Sequence, residues 1–291
     1  MAKALDADFV AKYARPPSKT TLDQAISLHS NVRTTLGDAE YLTFLQGSYK
    51  NDTAIADMND VDVVALCRAP AKTFWDNPDW QVLFAAIERK LQANPNYQGK
   101  WKRGDKCITL HTSVKIDIVP AVATKAVDDD PIDIHSFSSS SSRKNWPRLH
   151  YVNAAKKSGT TNGAFKQSVR LFKRWARCHF AKEKVAPSYY LECLLHSLPN
   201  PLFTADLAAG FVALGRDICT RYGGGFSASY VLPRIGGQGD LFSCSEWDIT
   251  RFRRFRTTLE SSIEEVQRAV TEVDPSRAKA AWRRAFAGFD A

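Results

Sequence analysis

The chain has 291 residues, 44% hydrophobic and 11% aromatic, so it can bury a substantial core, and its length favours two lobes over one. Lys and Arg number 40 against 31 Asp and Glu, a formal charge of +9 that suits an anionic partner such as nucleotide, nucleic acid or an acidic membrane surface, or serves solubility alone. The six cysteines form no CxxC pair, which sets aside a zinc ribbon or dithiol redox site. The first twenty residues lack the apolar run of a secretory signal, and no stretch of roughly 18 apolar residues is present; a reduced, cytoplasmic protein with no membrane segment is expected.

In chain order, Leu22, Ala25, Ile26, Val32 and Leu36 recur near helical spacing and predict a helix over Thr21–Gly37. Strands follow at Tyr41–Leu45 and Val61–Leu66, then a helix over Trp80–Leu91. Further strands are predicted at Cys107–Val114 and Lys115–Val119, the second alternating Ile116 and Ile118 against Lys115 and Asp117. The polar segment Asp128–Lys144 contains five consecutive serines, Ser138 to Ser142, and reads as a mobile surface loop. Helices are then predicted over Asn162–Ala181, Ser188–Ser197, Asp206–Tyr222 (stopped by Gly223-Gly224-Gly225), Glu246–Val273 and Ser276–Phe286. The pattern is a mixed αβ lobe, a mostly helical second lobe and a cleft between them.

The chemistry concentrates in "GSYKNDTAIADMNDVDVV". Asp60 and Asp62 lie two apart on a predicted strand, so both project from one face while Val61, Val63 and Val64 anchor it. Two like charges that close need a cation, and Mg²⁺, with Mn²⁺ as its substitute, takes oxygen ligands from carboxylate, water and phosphate. Asp117, in "VKIDIVP", sits on another strand of the same lobe, and neighbouring strands lie about 5 Å apart. Three acids facing one cleft suit two metal ions about 4 Å apart, the clamp for a phosphoryl displacement; otherwise they are edge-strand acids facing water. Gly47 allows a tight turn, and the Ser48 hydroxyl with nearby N–H groups suits phosphate oxygens.

On the helix after the serine run, Lys166, Arg170, Lys173 and Arg177 fall on one face beside an apolar stripe of Phe165, Val169, Phe172 and Ala176; taken alone, such a basic face is a solvated one. Other motifs fail. "GGGFSAS" lacks the last glycine of a nucleophile elbow, having Ser229, and no GxxxxGK[ST] exists. His111, His135 and His150 lack metal-ligand spacing. "TRFRRFR" reads as an amphipathic helix with Phe inside and Arg outside.

The Gly-Ser, the acid-x-acid strand and the later "VKIDIVPA" resemble the polymerase-β-type nucleotidyltransferases. "IDIVPA" is similar to the form found in oligoadenylate synthases and in the cyclic GMP-AMP synthase-like bacterial enzymes, the CD-NTases. "HYVNAAKKSGTTNGAFKQSVRLFKRW" and "APSYYLECLLHSLPN" resemble helical-lobe segments of their clade E; the likeness covers Gln46 to Asn200 and is loose after Leu202. It implies an α+β fold, with a nucleotidyltransferase lobe over residues 1–155 and a helical lobe over residues 156–291. It implies a metal-dependent enzyme that joins two nucleoside triphosphates, ATP and a second such as UTP, into a cyclic dinucleotide for antiphage (CBASS) signalling through a downstream effector. It also implies roles: Asp60, Asp62 and Asp117 hold the metals, Lys173 contacts the triphosphate, and Ser188 contacts phosphate. Tyr189 stacks on a base and Asn162 reads a pyrimidine edge. The bland alternatives are a helix cap for Ser188, a core aromatic for Tyr189 and a helix N-cap for Asn162. A monomer is expected, with nucleic acid not a substrate. A linear oligonucleotide synthase or RNA terminal transferase stays open. So does a non-catalytic nucleic-acid binder, although such a protein gains nothing from retaining three acids.

Overall fold

The structure is a computed structural model and describes residues 4–58, 60–69, 80–126, 128–139, 141–180, 183, 185–223, 230–237, 239–242 and 247–291. The predicted helix end at Ala181, the helix start at Glu246, the glycines Gly224 and Gly225, and Ser229 lie outside the described residues.

In chain order the elements are α1 (Ala7–Ala11), a 3-10 turn (Lys12–Ala14), α2 (Lys19–Leu36), β1 (Tyr41–Gln46), α3 (Gly47–Lys50), β2 (Asp60–Cys67), α4 (Gln81–Ala93), β3 (Trp101–Arg103), β4 (Ile108–Leu110) and β5 (Lys115–Ala123). They continue with β6 (Ile132–His135), β7 (Ser142–Asn145), α5 (Pro147–Thr160), α6 (Ala164–Phe180), α7 (Ser188–Ser197), a 3-10 turn (Asn200–Leu202), α8 (Leu207–Arg221), α9 (Ile249–Thr271) and α10 (Pro275–Ala285). The chain divides into two compact units, one of Pro17–Val152 and one of Met1–Pro16 with Asn153–Ala291. The first sixteen residues, expected with the catalytic lobe, therefore group with the helical unit, and the second boundary falls inside α5.

The sheet unit is α+β with a mixed sheet. Among the described residues it has seven strands, ordered β1-β2-β5-β4-β3, with β6 on the later half of β5 and β7 beyond it. β2 and β5 run parallel at the centre; the other pairs are antiparallel. Strand alternation gives the sheet two faces. Val61, Val63 and Ala65 of β2 join Ile116 and Ile118 of β5 in a core covered by Ala25, Val32 and Leu36 of α2 and by Leu83, Phe84, Ile87 and Leu91 of α4. On the opposite face, Val64 and Leu66 meet Ala121, Ala123 and Ile132. Ser18 starts α2 by accepting from the Thr21 N–H at 3.1 Å, and Gly37, at φ +83°, ends it.

Two predictions about this unit are corrected. Of Cys107–Val114 only Ile108–Leu110 is strand, with β3 as an unforeseen antiparallel neighbour. The expected loop Asp128–Lys144 instead contains the β6–β7 hairpin, with Ser142 in β7. The serines of its turn are tied down: Ser139 Oγ donates to Ser136 Oγ at 2.9 Å and meets Ser141 Oγ at 2.7 Å. The Asp105 carboxylate accepts from Ser136 Oγ at 2.6 Å and from the Ser138 N–H at 3.0 Å. These bonds hold the Asp105 carboxyl down at about 2. Their contribution to stability is present above the unfolded value of about 4 and is lost as pH falls through about 2. The gap in melting temperature between wild type and Asp105→Asn is therefore expected to shrink as pH is lowered from 5 to 2.

In the helical unit α6 is the central element. Phe165, Val169, Phe172 and Ala176 are buried as its periodicity requires, and the fully buried Trp175 donates its indole N–H to Ser262 Oγ at 2.9 Å. The carboxylates of Asp206, Asp248 and Asp274 cap α8, α9 and α10, each cap worth about 1 kcal/mol. Phe252 and Phe255 are buried while Arg253 and Arg254 are exposed, the amphipathic arrangement expected of "TRFRRFR". Tyr13, from the N-terminal segment, is fully buried among Trp282, Phe286 and Phe289, and its hydroxyl donates to the Phe289 carbonyl at 2.8 Å.

Candidate active site on the sheet unit

The even-numbered face of β2 is apolar at Val64 and Leu66 but begins with Asp60 and Asp62, and the register shows why two charges sit there. Gln46 pairs with Asp62, Asp62 with Asp117, and Asp117 with Thr109, so a polar row crosses four strands. Asp62 and Asp117 are each the third residue of their strands and face one another across the parallel pair. One step earlier, Asp60 is opposite Lys115. The sequence-based placement of three acids on one face of adjacent strands agrees with this register.

The side chains are organised. Thr109 Oγ1 donates to Asp117 Oδ1 at 2.6 Å, which orients that carboxylate. Lys115 Nζ lies 3.2 Å from Asp117 Oδ2 and 3.3 Å from Asp60 Oδ1. Burial alone would lower the Lys115 pKa, but Asp117 and Asp60 outweigh it and the net shift is upward, so the ammonium stays charged. Asp60 is the more exposed acid, at 55% of its side chain against 19% for Asp117. Among the described residues no three His, Cys, Asp or Glu side chains close around one metal position. Asp60 and Asp117 each turn an oxygen toward Lys115. The all-carboxylate donor set still fits a hard divalent cation, and a cationic group already stands between two of its members.

Gly47 follows β1 directly, and its positive φ agrees with the tight turn expected there. Its φ is +67°, and a Cβ there would lie 2.3 Å from Asp62 Oδ2. The glycine thus lets the backbone pass against the carboxylate of Asp62. The loop after it is stapled: the Ser48 carbonyl accepts from the N–H groups of Thr53 at 2.9 Å and Ala54 at 3.1 Å, and the Tyr49 hydroxyl donates to the Met58 carbonyl at 2.8 Å. Asn51 Nδ2 meets His150 Nε2 at 3.1 Å in a buried contact. Sequence reasoning missed Gln46, Thr109 and Lys115 as neighbours of the acids. Lys115 and Asp117 share a face by alternation, but the approach to Asp60 depends on strand register.

The helical unit holds the other expected nucleotide-binding residues. Asn162 is exposed at φ +49° and closes α5: its N–H reaches the Gly159 carbonyl at 3.3 Å, and the Gly163 N–H reaches the Ser158 carbonyl at 2.8 Å. This is a Schellman cap, so the alternative reading of an N-cap is replaced by a C-terminal one. Lys173 is buried, only 1% exposed, and ion-pairs with the equally buried Glu192. Contact of this ammonium with a triphosphate would compete with its Glu192 pair. Arg170, read as a surface charge, is also buried and donates to the Ala14 carbonyl at 2.8 Å; of the four-residue basic face, Arg177 alone is exposed. Ser188 opens α7, but Pro187 holds the cap position, so Ser188 is not the cap. Tyr189 is half-buried, and burial raises its phenol pKa; Tyr190 is a core ring against Trp247.

Comparison with known proteins agrees with this picture. The family model of the cGAS/DncV-like nucleotidyltransferase C-terminal helical domain matches residues 152–264. The chain is 30% identical over 242 residues to the cyclic UMP-AMP synthase of Rhodothermus marinus, covering 73% of this chain and 81% of that protein. It is 27% identical over 290 residues to a cyclic AMP-AMP-AMP synthase of an Acinetobacter species, covering 92% and 80%. The solved structure of Rhodothermus marinus CdnE c-UMP-AMP synthase with Apcpp and Upnpp superposes with a TM-score of 0.69 at 26% identity, over 88% of this chain and 96% of that one. No helix among the described residues is long and apolar enough to cross a membrane. With the acidic row on its mixed sheet and the matched helical domain, the chain belongs to the cGAS/DncV-like nucleotidyltransferases, the CD-NTases, and is a nucleotidyltransferase of the cyclic nucleotide synthase kind.

Proposed function

We propose that this enzyme joins ATP and a second nucleoside triphosphate, UTP, into a cyclic dinucleotide and releases pyrophosphate at each transfer. The observation that carries the reading is the register of Asp62 against Asp117, with Asp60 two residues earlier on the same face. Asp60, Asp62 and Asp117 would hold Mg²⁺, or Mn²⁺ in its place; when bound, the metal supplies charge neutralisation at the reacting phosphate and acidifies the attacking hydroxyl. Thr109 holds Asp117 Oδ1 as an acceptor, so the proton of the attacking hydroxyl would go to Oδ2, the oxygen that Lys115 faces in the free enzyme. Gly47 lets the turn pass against the Asp62 carboxylate, and Ser48 is offered to the phosphates. Catalysis on this reading is positioning and charge stabilisation. The product would act as a second messenger on an effector in antiphage signalling.

Ser188, Tyr189 and Lys173 remain proposed nucleotide contacts, and Asn162 the proposed base reader. Its amide offers both donor and acceptor to a pyrimidine edge, and its exposure leaves that edge accessible. The test is incubation of purified enzyme with labelled nucleoside triphosphates in pairs, with Mg²⁺ or Mn²⁺, followed by phosphatase and mass measurement. A phosphatase-resistant species with the mass of a cyclic UMP-AMP is expected. A product that phosphatase strips would assign a linear synthase, and a three-nucleotide ring would place the chain with the Acinetobacter activity. Asn162→Gly keeps the left-handed backbone while removing the amide, and is expected to lower the preference for UTP over other second substrates about tenfold, the worth of roughly one hydrogen bond. An unchanged preference would remove Asn162 from base selection.

A further inference from the structure

We infer that Lys115 is a resident stand-in cation: it occupies the position between Asp60 and Asp117 in the free enzyme and must be displaced for a divalent metal to load. The inference rests on the proposed metal-binding role of the three acids and deepens it.

Lys115 Nζ is near-equidistant from one oxygen of each acid, 3.3 Å from Asp60 and 3.2 Å from Asp117. The register makes this geometry persistent. Lys115 is the strand partner of Asp60 and lies two residues from Asp117 on the same face of β5, so one side chain reaches both acids without leaving its strand. Asp117 cannot relax toward another group at its other oxygen, because Oδ1 is held by Thr109. An ammonium and a divalent ion cannot share one position, and at such separations they repel strongly. Lys115 is 39% exposed on a flexible stem, so it has somewhere to go. Metal arriving alone has to break two ion pairs. Metal arriving with a triphosphate brings anionic oxygens that can receive the displaced ammonium. Lys115 therefore links metal loading to nucleotide binding and keeps the bare site from filling with metal.

The test counts bound Mn²⁺ by the EPR signal of the free ion, with the melting temperature followed in parallel, for wild type, Lys115→Gln, Lys115→Arg and Asp60→Asn/Asp62→Asn, each with and without a non-hydrolysable ATP analogue. Lys115→Met serves if Lys115→Gln does not fold. Lys115→Gln is expected to bind Mn²⁺ without nucleotide about five- to tenfold more tightly than wild type, and to lose most of the tightening that the analogue gives wild type. It is also expected to melt lower without metal, since the acids then face each other uncompensated. Lys115→Arg should behave as wild type. Unchanged or weaker Mn²⁺ binding by Lys115→Gln, or tightening by Lys115→Arg as well, overturns the inference while leaving the metal site in place. Wild-type Mn²⁺ binding in the presence of the analogue no different from that of Asp60→Asn/Asp62→Asn overturns the site reading and this inference with it.

Discussion

Asp62→Asn is expected to cut nucleotide joining by on the order of a thousandfold or more, about 4 kcal/mol of transition-state stabilisation, without lowering the metal-free melting temperature. The two effects separate because of where Asp62 sits. It is the register partner of Asp117 at the centre of the sheet, and like charges directly opposite on neighbouring strands destabilise. Neutralising one of the pair removes a ligand and relieves a repulsion together. Asp60→Asn should show the same loss of activity with a different stability response. It takes away one of the two acids that Lys115 faces, a partly exposed pair worth under about 1 kcal/mol. The measurements are pyrophosphate release with saturating nucleotides and thermal melting in EDTA. A fall of more than about 4 °C for Asp62→Asn, over 1 kcal/mol for a chain of this size, would make Asp62 a structural residue instead.

Gly47→Ala is the second large effect, and its cause is steric. At φ +67° an L-residue costs about 1–2 kcal/mol, which melting will register. The greater consequence is local. The new Cβ would lie 2.3 Å from Asp62 Oδ2, so the carboxylate must rotate away from the position it holds. Activity is expected to fall about a hundredfold, beyond what the stability loss explains, because a displaced ligand loses positioning. A cycle with Asp62→Asn checks the route: if Gly47 acts through Asp62, the combined variant should be scarcely less active than Asp62→Asn alone. Full additivity would place the effect of Gly47 elsewhere, such as on the phosphates.

Strand alternation made the acidic face legible in the sequence. Asp60 with Asp62, and Asp117 with its flanking isoleucines, need only a period of two, and the helices α2, α6 and α8 needed only apolar spacing and end signals. What stayed hidden depended on pairings across distance. The contact of Lys115 with Asp60 requires the β2–β5 register, which local pattern does not contain. The burial of Lys173 depends on Glu192, nineteen residues later on another helix. A basic stripe at helical spacing looks solvated until its neighbours are known. The serine run looked unstructured because its anchor, Asp105, lies 31 residues before Ser136. The N-cap alternative for Asn162 fails for a local reason: "TTNG" between two helices carries both an N-cap signal for the second and a C-terminal signal for the first, and the left-handed geometry decides for the first.

The burial of Tyr13 among Trp282, Phe286 and Phe289 bears on the order of assembly during synthesis. The hydroxyl of Tyr13 bonds a carbonyl 276 residues downstream, so this corner of the helical core cannot close until Phe289 has been made. Pro17–Val152 is contiguous, and its strand pairings are satisfied within it, so it can settle on the ribosome while the N-terminal strap is still unpartnered. Removing the segment around Tyr13 or the one carrying Trp282, Phe286 and Phe289 should therefore injure the same hydrophobic corner, leaving a folded sheet attached to a loosened bundle.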